Sequence, residues 1–148
     1  MMNQDYREML SVLSDNNVRF LVVGAYAMAG HGYPRATGDI DIWVEPSEEN
    51  SEKVCNSLIA FGAPGEFYNK NTFEEKGIIL QIGVAPRRID ILTHIGDVEF
   101  REAWDKRKII EIEGLKIPII GIDELIRSKL SAGRDKDIAD VKKLKNKT

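Results

Sequence analysis

Residues 19–44 read RFLVVGAYAMAGHGYPRATGDIDIWV, and they contain the elements around which the rest of the chain is arranged. The apolar run 20–23 predicts a central strand that is covered on both faces, because it carries no polar side chain. The run stops at Gly24, and the small residues after it predict a turn directly into a short helix. A loop rich in glycine and proline then leads to a second strand, which begins at Asp39.

Two acidic residues stand one residue apart at the start of this second strand. Because side chains alternate across a strand, Asp39 and Asp41 should point to one face while Ile40 and Ile42 point into the core. Two neighbouring carboxylates repel each other unless a cation lies between them. Oxygen ligands suit a hard divalent cation, so the pair predicts a magnesium site in which phosphate and water supply further ligands.

The turn at Gly24 and the following loop carry the candidate anion ligands. The first amides of a helix are unpaired and partly positive, so the strand-to-helix turn predicts an anion site. Taken alone, Gly24 is explained better as a residue that eases a tight turn. Arg35 lies close in sequence to the acidic pair and would either offset its charge, bind phosphate, or remain a solvated loop residue.

Length and composition set broad limits on the class of protein. The 148 residues predict one domain over 1–148, and 43% hydrophobic with 30% charged residues is typical of a globular chain. A net charge of −3 disfavours a protein that coats nucleic acid. Residues 1–20 contain no signal-peptide core, and no apolar stretch approaches the roughly 20 residues of a membrane span. We therefore expect a cytoplasmic protein that does not contact membranes.

Hydrophobic periodicity places the remaining elements. Helices are expected over 4–15, from Ser47 to Gly62, after a cap at Asp97, over 122–132 and after Gly133. Strands are expected over 78–84, 88–93, 108–112 and 115–119, the last two as a hairpin. Asp90 interrupts one of these strands, and a charged side chain inside a core strand is costly unless it is paired. It is either an edge-strand or salt-bridged aspartate, or a third carboxylate facing the first two.

The order of these features resembles the nucleotidyltransferase superfamily, which includes DNA polymerase beta, kanamycin nucleotidyltransferase and minimal bacterial nucleotidyltransferases. Its signature is glycine followed by glycine or serine, about a dozen residues, two acids separated by one apolar residue, and a third acid downstream. Here Gly24, Asp39-Ile40-Asp41 and Asp90 match, whereas Ala25 departs by lacking a hydroxyl. The resemblance implies an α+β nucleotidyltransferase fold, a mixed twisted β-sheet with helices packed against it and further helices at the C-terminus.

This resemblance also implies an activity, the transfer of a nucleoside monophosphate from a nucleoside triphosphate to a hydroxyl. Asp39, Asp41 and Asp90 would bind two Mg²⁺ ions, and Asp90 would help to deprotonate the acceptor. The residues expected to bind the nucleotide are Gly24, Ala25, Arg35, Thr37 and Lys129.

The C-terminal segment supplies the last of these residues. By likeness to toxin-type family members, Lys129 would approach the triphosphate while Asp137 and Asp140 orient the basic residues. From the residues alone, Lys129 could instead extend over the core, and the two acids could complement a helix dipole.

The acceptor and the partners stay open at this stage. A small molecule, the end of a transfer RNA or a protein side chain could supply the hydroxyl, and the family likeness also allows a cognate antitoxin. A homodimer could build the acceptor cleft from two subunits. A nucleotide-binding or protein-partner module without activity is the main alternative, motivated by Ala25 and by the small size. A metal hydrolase is less favoured, because in haloacid-dehalogenase-like phosphatases the first Asp of such a pair directly follows the first strand.

Overall fold

A mixed six-stranded sheet forms the centre of the protein. The computed structural model describes residues 2–33 and 38–146. Its strands are β1 (Phe20–Val23), β2 (Ile40–Val44), β3 (Ile79–Ile82), β4 (Ile89–Leu92), β5 (Lys108–Ile112) and β6 (Leu115–Ile119). They lie in the order β3-β4-β2-β1-β6-β5. The pairs β2–β4 and β1–β6 are parallel, and the other neighbours are antiparallel.

Six α-helices are described: α1 (Gln4–Asp15), α2 (Gly24–Gly30), α3 (Glu48–Phe61), α4 (Phe100–Asp105), α5 (Ile122–Ala132) and α6 (Asp135–Asn146). The Ser47 hydroxyl accepts the Asn50 amide at the start of α3, as the sequence predicts. The predicted cap at Asp97 is wrong, because its carboxylate instead accepts a hydrogen bond of 2.9 Å from Ser131 Oγ while α4 begins after Glu99. In the described part of the chain, no helix has the length and hydropathy that crossing a membrane requires.

The two faces of the sheet pack against different helices. Ile40 and Ile42 are fully buried against α1 and α3, which confirms that they point into the core. The opposite face is also covered, since Trp43 packs with its ring centroid 5.0 Å from that of Phe100, in a cluster with residues of α2, α5 and α6. Asp41 lies on this second face and is therefore at the margin of a packed core.

Asn50 connects the start of β1 to the end of β2. It is 3% exposed, and its Oδ1 accepts the Arg19 amide at 2.8 Å. Its Nδ2 donates to the carbonyl oxygens of Arg19 and Glu45 at 3.1 and 3.0 Å. One side chain thus bonds to three backbone groups, of which the Arg19 carbonyl also accepts the Glu45 amide at 3.1 Å. A buried side-chain amide needs such partners.

We expect Asn50→Ala to lower the free energy of unfolding by about 2–4 kcal/mol, because it removes the partner of the Arg19 amide and of the Glu45 carbonyl together with a buried side chain. Asn56→Ala, at an exposed position of the same helix, is the matched control and should change it by less than about 0.5 kcal/mol. Urea unfolding followed by circular dichroism measures both. Equal effects in the two variants would contradict the role given to Asn50.

Candidate active site

The register of two parallel strands brings two carboxylates side by side. Asp41 of β2 lies directly opposite Asp90 of β4, so both side chains emerge on the same face of the sheet. Burial raises the pKa of Asp41 to about 6, and the charge of Asp90 together with a hydrogen bond to its carboxyl adds to the effect. The pair therefore has a deficit of positive charge that a bound cation would relieve.

Arg88 supplies the positive charge that the structure places at these carboxylates. Its Nε and Nη2 donate to the two oxygens of Asp90 at 2.6 and 3.0 Å, which is a bidentate pair. Nη2 also lies 3.3 Å from Asp39 Oδ2, and the Arg88 amide donates to Asp39 Oδ1 at 2.9 Å. Asp90 is thus both salt-bridged and adjacent to Asp41, and it is not on an edge strand.

Gly24 allows Asp41 to approach the turn between β1 and α2. Its φ of +68° lies in the left-handed region, where residues with a side chain are strained. A Cβ at this position would stand 2.5 Å from Asp41 Oδ2. The backbone conformation and the close approach of the carboxylate therefore both require glycine, and Ala25 follows as the second residue of the helix.

A tyrosine on α1 fixes the backbone beside Asp39. The Tyr6 hydroxyl donates to the carbonyl of Gly38, and Tyr6 is 1% exposed. Burial, followed by the nearby Tyr26 and Asp39, raises the pKa of Tyr6 to about 12, so the hydroxyl stays a donor at neutral pH. The strand that carries Asp41 begins just beyond this anchor, where the Ile40 amide donates to the Arg88 carbonyl at 3.0 Å.

A cleft of about 230 Å³ lies next to the acidic pair. One wall contains Gly24 and Asp41. The other contains Lys129 of α5 and Arg134 before α6, together with Asp137, which pairs with both of them. The two walls thus present a carboxylate and basic side chains to one another. This is an arrangement that suits a phosphate ligand with a bound cation.

The structure places the predicted residues in two adjoining groups. Gly24, Asp41 and Lys129 line the cleft, whereas Asp39 and Asp90 are joined through Arg88. Arg35 and Thr37 lie outside the described residues. Sequence reasoning missed Arg88, Arg134 and Tyr6 as members of the site, although a basic residue two positions before a strand aspartate is a usable signal for the first.

The chemistry of the donor set fits a hard divalent cation, since Asp39, Asp41 and Asp90 offer only oxygen ligands. Across residues 2–33 and 38–146, no three His, Cys, Asp or Glu side chains form a ready-made metal site. Arg88 pairs with oxygens of Asp39 and Asp90 that such a site would use.

Comparison with known proteins gives a match over nearly the whole chain. A family model described as "Nucleotidyl transferase of unknown function (DUF2204)" matches residues 2–148. No curated protein sequence matches the chain significantly.

Several solved structures share the fold. TM1012 from Thermotoga maritima, assigned as a nucleotidyltransferase, is 18% identical with a TM-score of 0.63, covering 100% of this chain and 97% of that one. The lincosamide antibiotic adenylyltransferase LnuA, bound to lincomycin, is 17% identical with a TM-score of 0.64 and coverages of 100% and 99%. The antibiotic-resistance factor ANT(2'')-Ia is 15% identical with a TM-score of 0.64 and coverages of 95% and 80%. The predicted nucleotidyltransferase fold is thereby confirmed.

We expect Gly24→Ala to destabilise the protein by more than the roughly 1 kcal/mol that alanine costs in a left-handed backbone conformation. The added methyl group would also displace the Asp41 carboxylate. Gly77→Ala is the matched control, since Gly77 has a φ of +92° with nothing within 4 Å of an added Cβ. Thermal unfolding measures both variants. A loss in Gly24→Ala no larger than in Gly77→Ala would contradict the close approach of Asp41.

The raised pKa of Asp41 predicts a stability effect that depends on pH. Its folded pKa of about 6 exceeds the ordinary 3.8, so ionised Asp41 destabilises the fold fully above pH 6 and not at all below pH 3.8. Asp41→Asn should therefore be more stable than the wild type by about 2 kcal/mol at pH 7.5 without metal, and the gain should shrink towards pH 4.

Urea unfolding at pH 7.5, 5.5 and 4 measures this gain, with Asp105→Asn at an exposed position as the control. A gain that is equal at all three pH values would show that Asp41 titrates normally. A gain in Asp105→Asn of the same size would show a general charge effect instead.

Proposed function

Because the chain belongs to the family of nucleotidyl transferases of unknown function (DUF2204), we propose that it transfers a nucleoside monophosphate from a nucleoside triphosphate to a hydroxyl group. The observation that carries the proposal is the pairing of Asp41 with Asp90 on neighbouring strands, beside the Gly24 turn and across the cleft from Lys129 and Arg134. Paired carboxylates facing basic side chains suit a phosphate ester with a bound cation.

Asp39, Asp41 and Asp90 are the proposed ligands of two Mg²⁺ ions. When bound, these ions would stabilise the attacking and leaving oxygens of an in-line displacement. Asp90 would also help to remove the proton of the acceptor hydroxyl. Arg88 pairs with Asp90 in the structure, so the guanidinium and the cation compete for the same carboxylate oxygens.

The backbone at Gly24 and Ala25, the side chains of Arg35 and Thr37, and Lys129 are the proposed nucleotide-binding residues. Gly24 and Lys129 already lie on opposite walls of the cleft. A phosphate chain bound there would therefore face backbone amides on one side and the ion-paired ammonium of Lys129 on the other, and N–H donors on both sides favour an anion.

The acceptor is proposed to be a hydroxylated small molecule, with a transfer RNA end or a protein side chain as the next classes to test. Among the proteins of this fold, one is an antibiotic adenylyltransferase and another is an antibiotic-resistance factor. These relatives share the fold at low identity, so they suggest the first acceptors to screen.

Ala25 supports a second candidate, a module that binds the nucleotide without transferring it. The family signature has a serine or a second glycine at this position, and alanine offers no hydroxyl to hold a phosphate. Only the backbone amide of Ala25 remains as a donor. Binding and turnover must therefore be measured separately.

The test combines a Mg²⁺ titration with each nucleoside triphosphate, reading heat of binding and pyrophosphate release. Both should fall at least about 100-fold in Asp41→Asn, because it removes a negative ligand at the proposed metal site. Asp105→Asn, at an exposed position outside the cleft, should behave as the wild type.

Three outcomes separate the candidates. Binding and release that are both lost in Asp41→Asn support the transferase. Binding without release, across a panel of hydroxylated acceptors, favours the inactive module. Full activity in Asp41→Asn would refute the assignment of the acidic pair.

A further inference from the structure

Two basic side chains face Asp41 across the cleft, and they differ sharply in exposure. The Lys129 side chain is 10% exposed, whereas that of Arg134 is 62% exposed. Both residues line the cleft together with Asp41. Arg134 is therefore the cation that a ligand entering the cleft would meet first.

Lys129 is already neutralised within the protein. Its ammonium lies 3.0 Å from Asp140 Oδ2 and 3.8 Å from Asp137 Oδ1, and both acids are almost fully buried. Removing one partner from such a buried group leaves an uncompensated charge, which is strongly unfavourable. A phosphate at Lys129 would therefore compete with two nearly buried carboxylates for the charge of the ammonium.

Asp137 connects this buried group to Arg134. Its Oδ2 accepts the Arg134 Nε at 2.6 Å and the Arg134 amide at 3.3 Å, while Oδ1 accepts Nη2 at 3.3 Å. Burial alone would raise the pKa of Asp137, but the hydrogen bonds and charge of Arg134, with the charge of Lys129, lower it below the ordinary value. Asp137 thus remains ionised and holds the guanidinium.

The side of the Arg134 guanidinium that carries Nη1 is available to bind a ligand. Within residues 2–33 and 38–146, no hydrogen bond is made by its Nη1. A guanidinium presents its donors as a planar fork that matches phosphate oxygens. Because Asp137 fixes the other side, little conformational entropy is lost when this fork binds.

We propose that Arg134 is the residue of this wall that binds the triphosphate, and that Lys129 is a positioning residue that holds Arg134 in place through Asp137. The inference rests on the proposed function and names a different phosphate ligand from the one that the family resemblance suggests. It follows from the chain of contacts Lys129–Asp137–Arg134 and from the exposure of its last member.

Inorganic triphosphate with Mg²⁺ tests the proposal without a choice of nucleobase. We expect Arg134→Gln to raise its Kd about 10- to 100-fold in isothermal titration, because one charged hydrogen-bonding group is lost. Arg134→Lys should recover part of the affinity through its charge alone. Arg101→Gln, which removes an exposed arginine outside this cleft, is the control and should leave Kd unchanged.

Asp137→Asn tests the positioning step, since it keeps the side-chain shape and leaves Lys129 paired with Asp140. We expect it to weaken triphosphate binding, and to cause no further loss in an Arg134→Gln background, because both changes act on one interaction. If Lys129 binds the phosphate directly, Asp137→Asn should instead leave the affinity unchanged or raise it, with or without Arg134.

The outcomes separate this inference from the proposed function. If Arg134→Gln binds triphosphate as tightly as the wild type does, and Asp39→Ala/Asp41→Ala abolishes the Mg²⁺-dependent part of that binding, the role of Arg134 is overturned. The proposed function is then unaffected. If the wild type binds neither inorganic triphosphate nor any nucleoside triphosphate, both the role of Arg134 and the proposed function are overturned. Loss of binding in Arg134→Gln, with thermal stability unchanged, supports the assignment.

Discussion

The parallel register of β2 and β4 is the constraint on which the site depends, because it sets Asp41 directly opposite Asp90. Two carboxylates at neighbouring positions of a covered sheet repel each other, and a short bidentate contact from Arg88 offsets that repulsion. The surrounding features keep this arrangement in place. Tyr6 anchors the backbone before Asp39, and the absence of a side chain at Gly24 leaves room for the Asp41 carboxylate.

Local patterns in the sequence were sufficient for most of the helices and strands, whereas the fold was predicted from the family resemblance. The helix at Gln4–Asp15 was predicted with the same bounds, since its apolar residues recur at helical spacing. The hairpin of β5 and β6 followed from Glu113-Gly114, both of which have positive φ in the structure. The acidic residues were also found from sequence, because a charge in an apolar run is a local anomaly.

The partners of those residues could not be predicted, because they depend on contacts between distant parts of the chain. Nothing near Asn50 indicates that it bonds to the backbone of Arg19, 31 residues away. Asp97 is of a residue type that often caps helices, yet its carboxylate accepts a hydrogen bond from Ser131. The burial of Lys129 depends on the packing of α5 against α6. Periodicity gives the face on which a side chain lies, and tertiary packing decides which partner it meets there.

The order of the strands in the sheet differs from their order in the chain, and this affects synthesis from the N-terminus. Asp39, Asp41, Asp90 and their counterion Arg88 are all present once β4 has been made, well before Lys129 and Arg134. In contrast, β1 receives its second neighbour only when β6 pairs Ile119 with Val22, 97 residues later. Until then the edge of β1 is an apolar template open to other chains. The carboxylates of the site and their counterion are thus made early, while the neighbouring strand β1 keeps one edge uncovered until β6 is made.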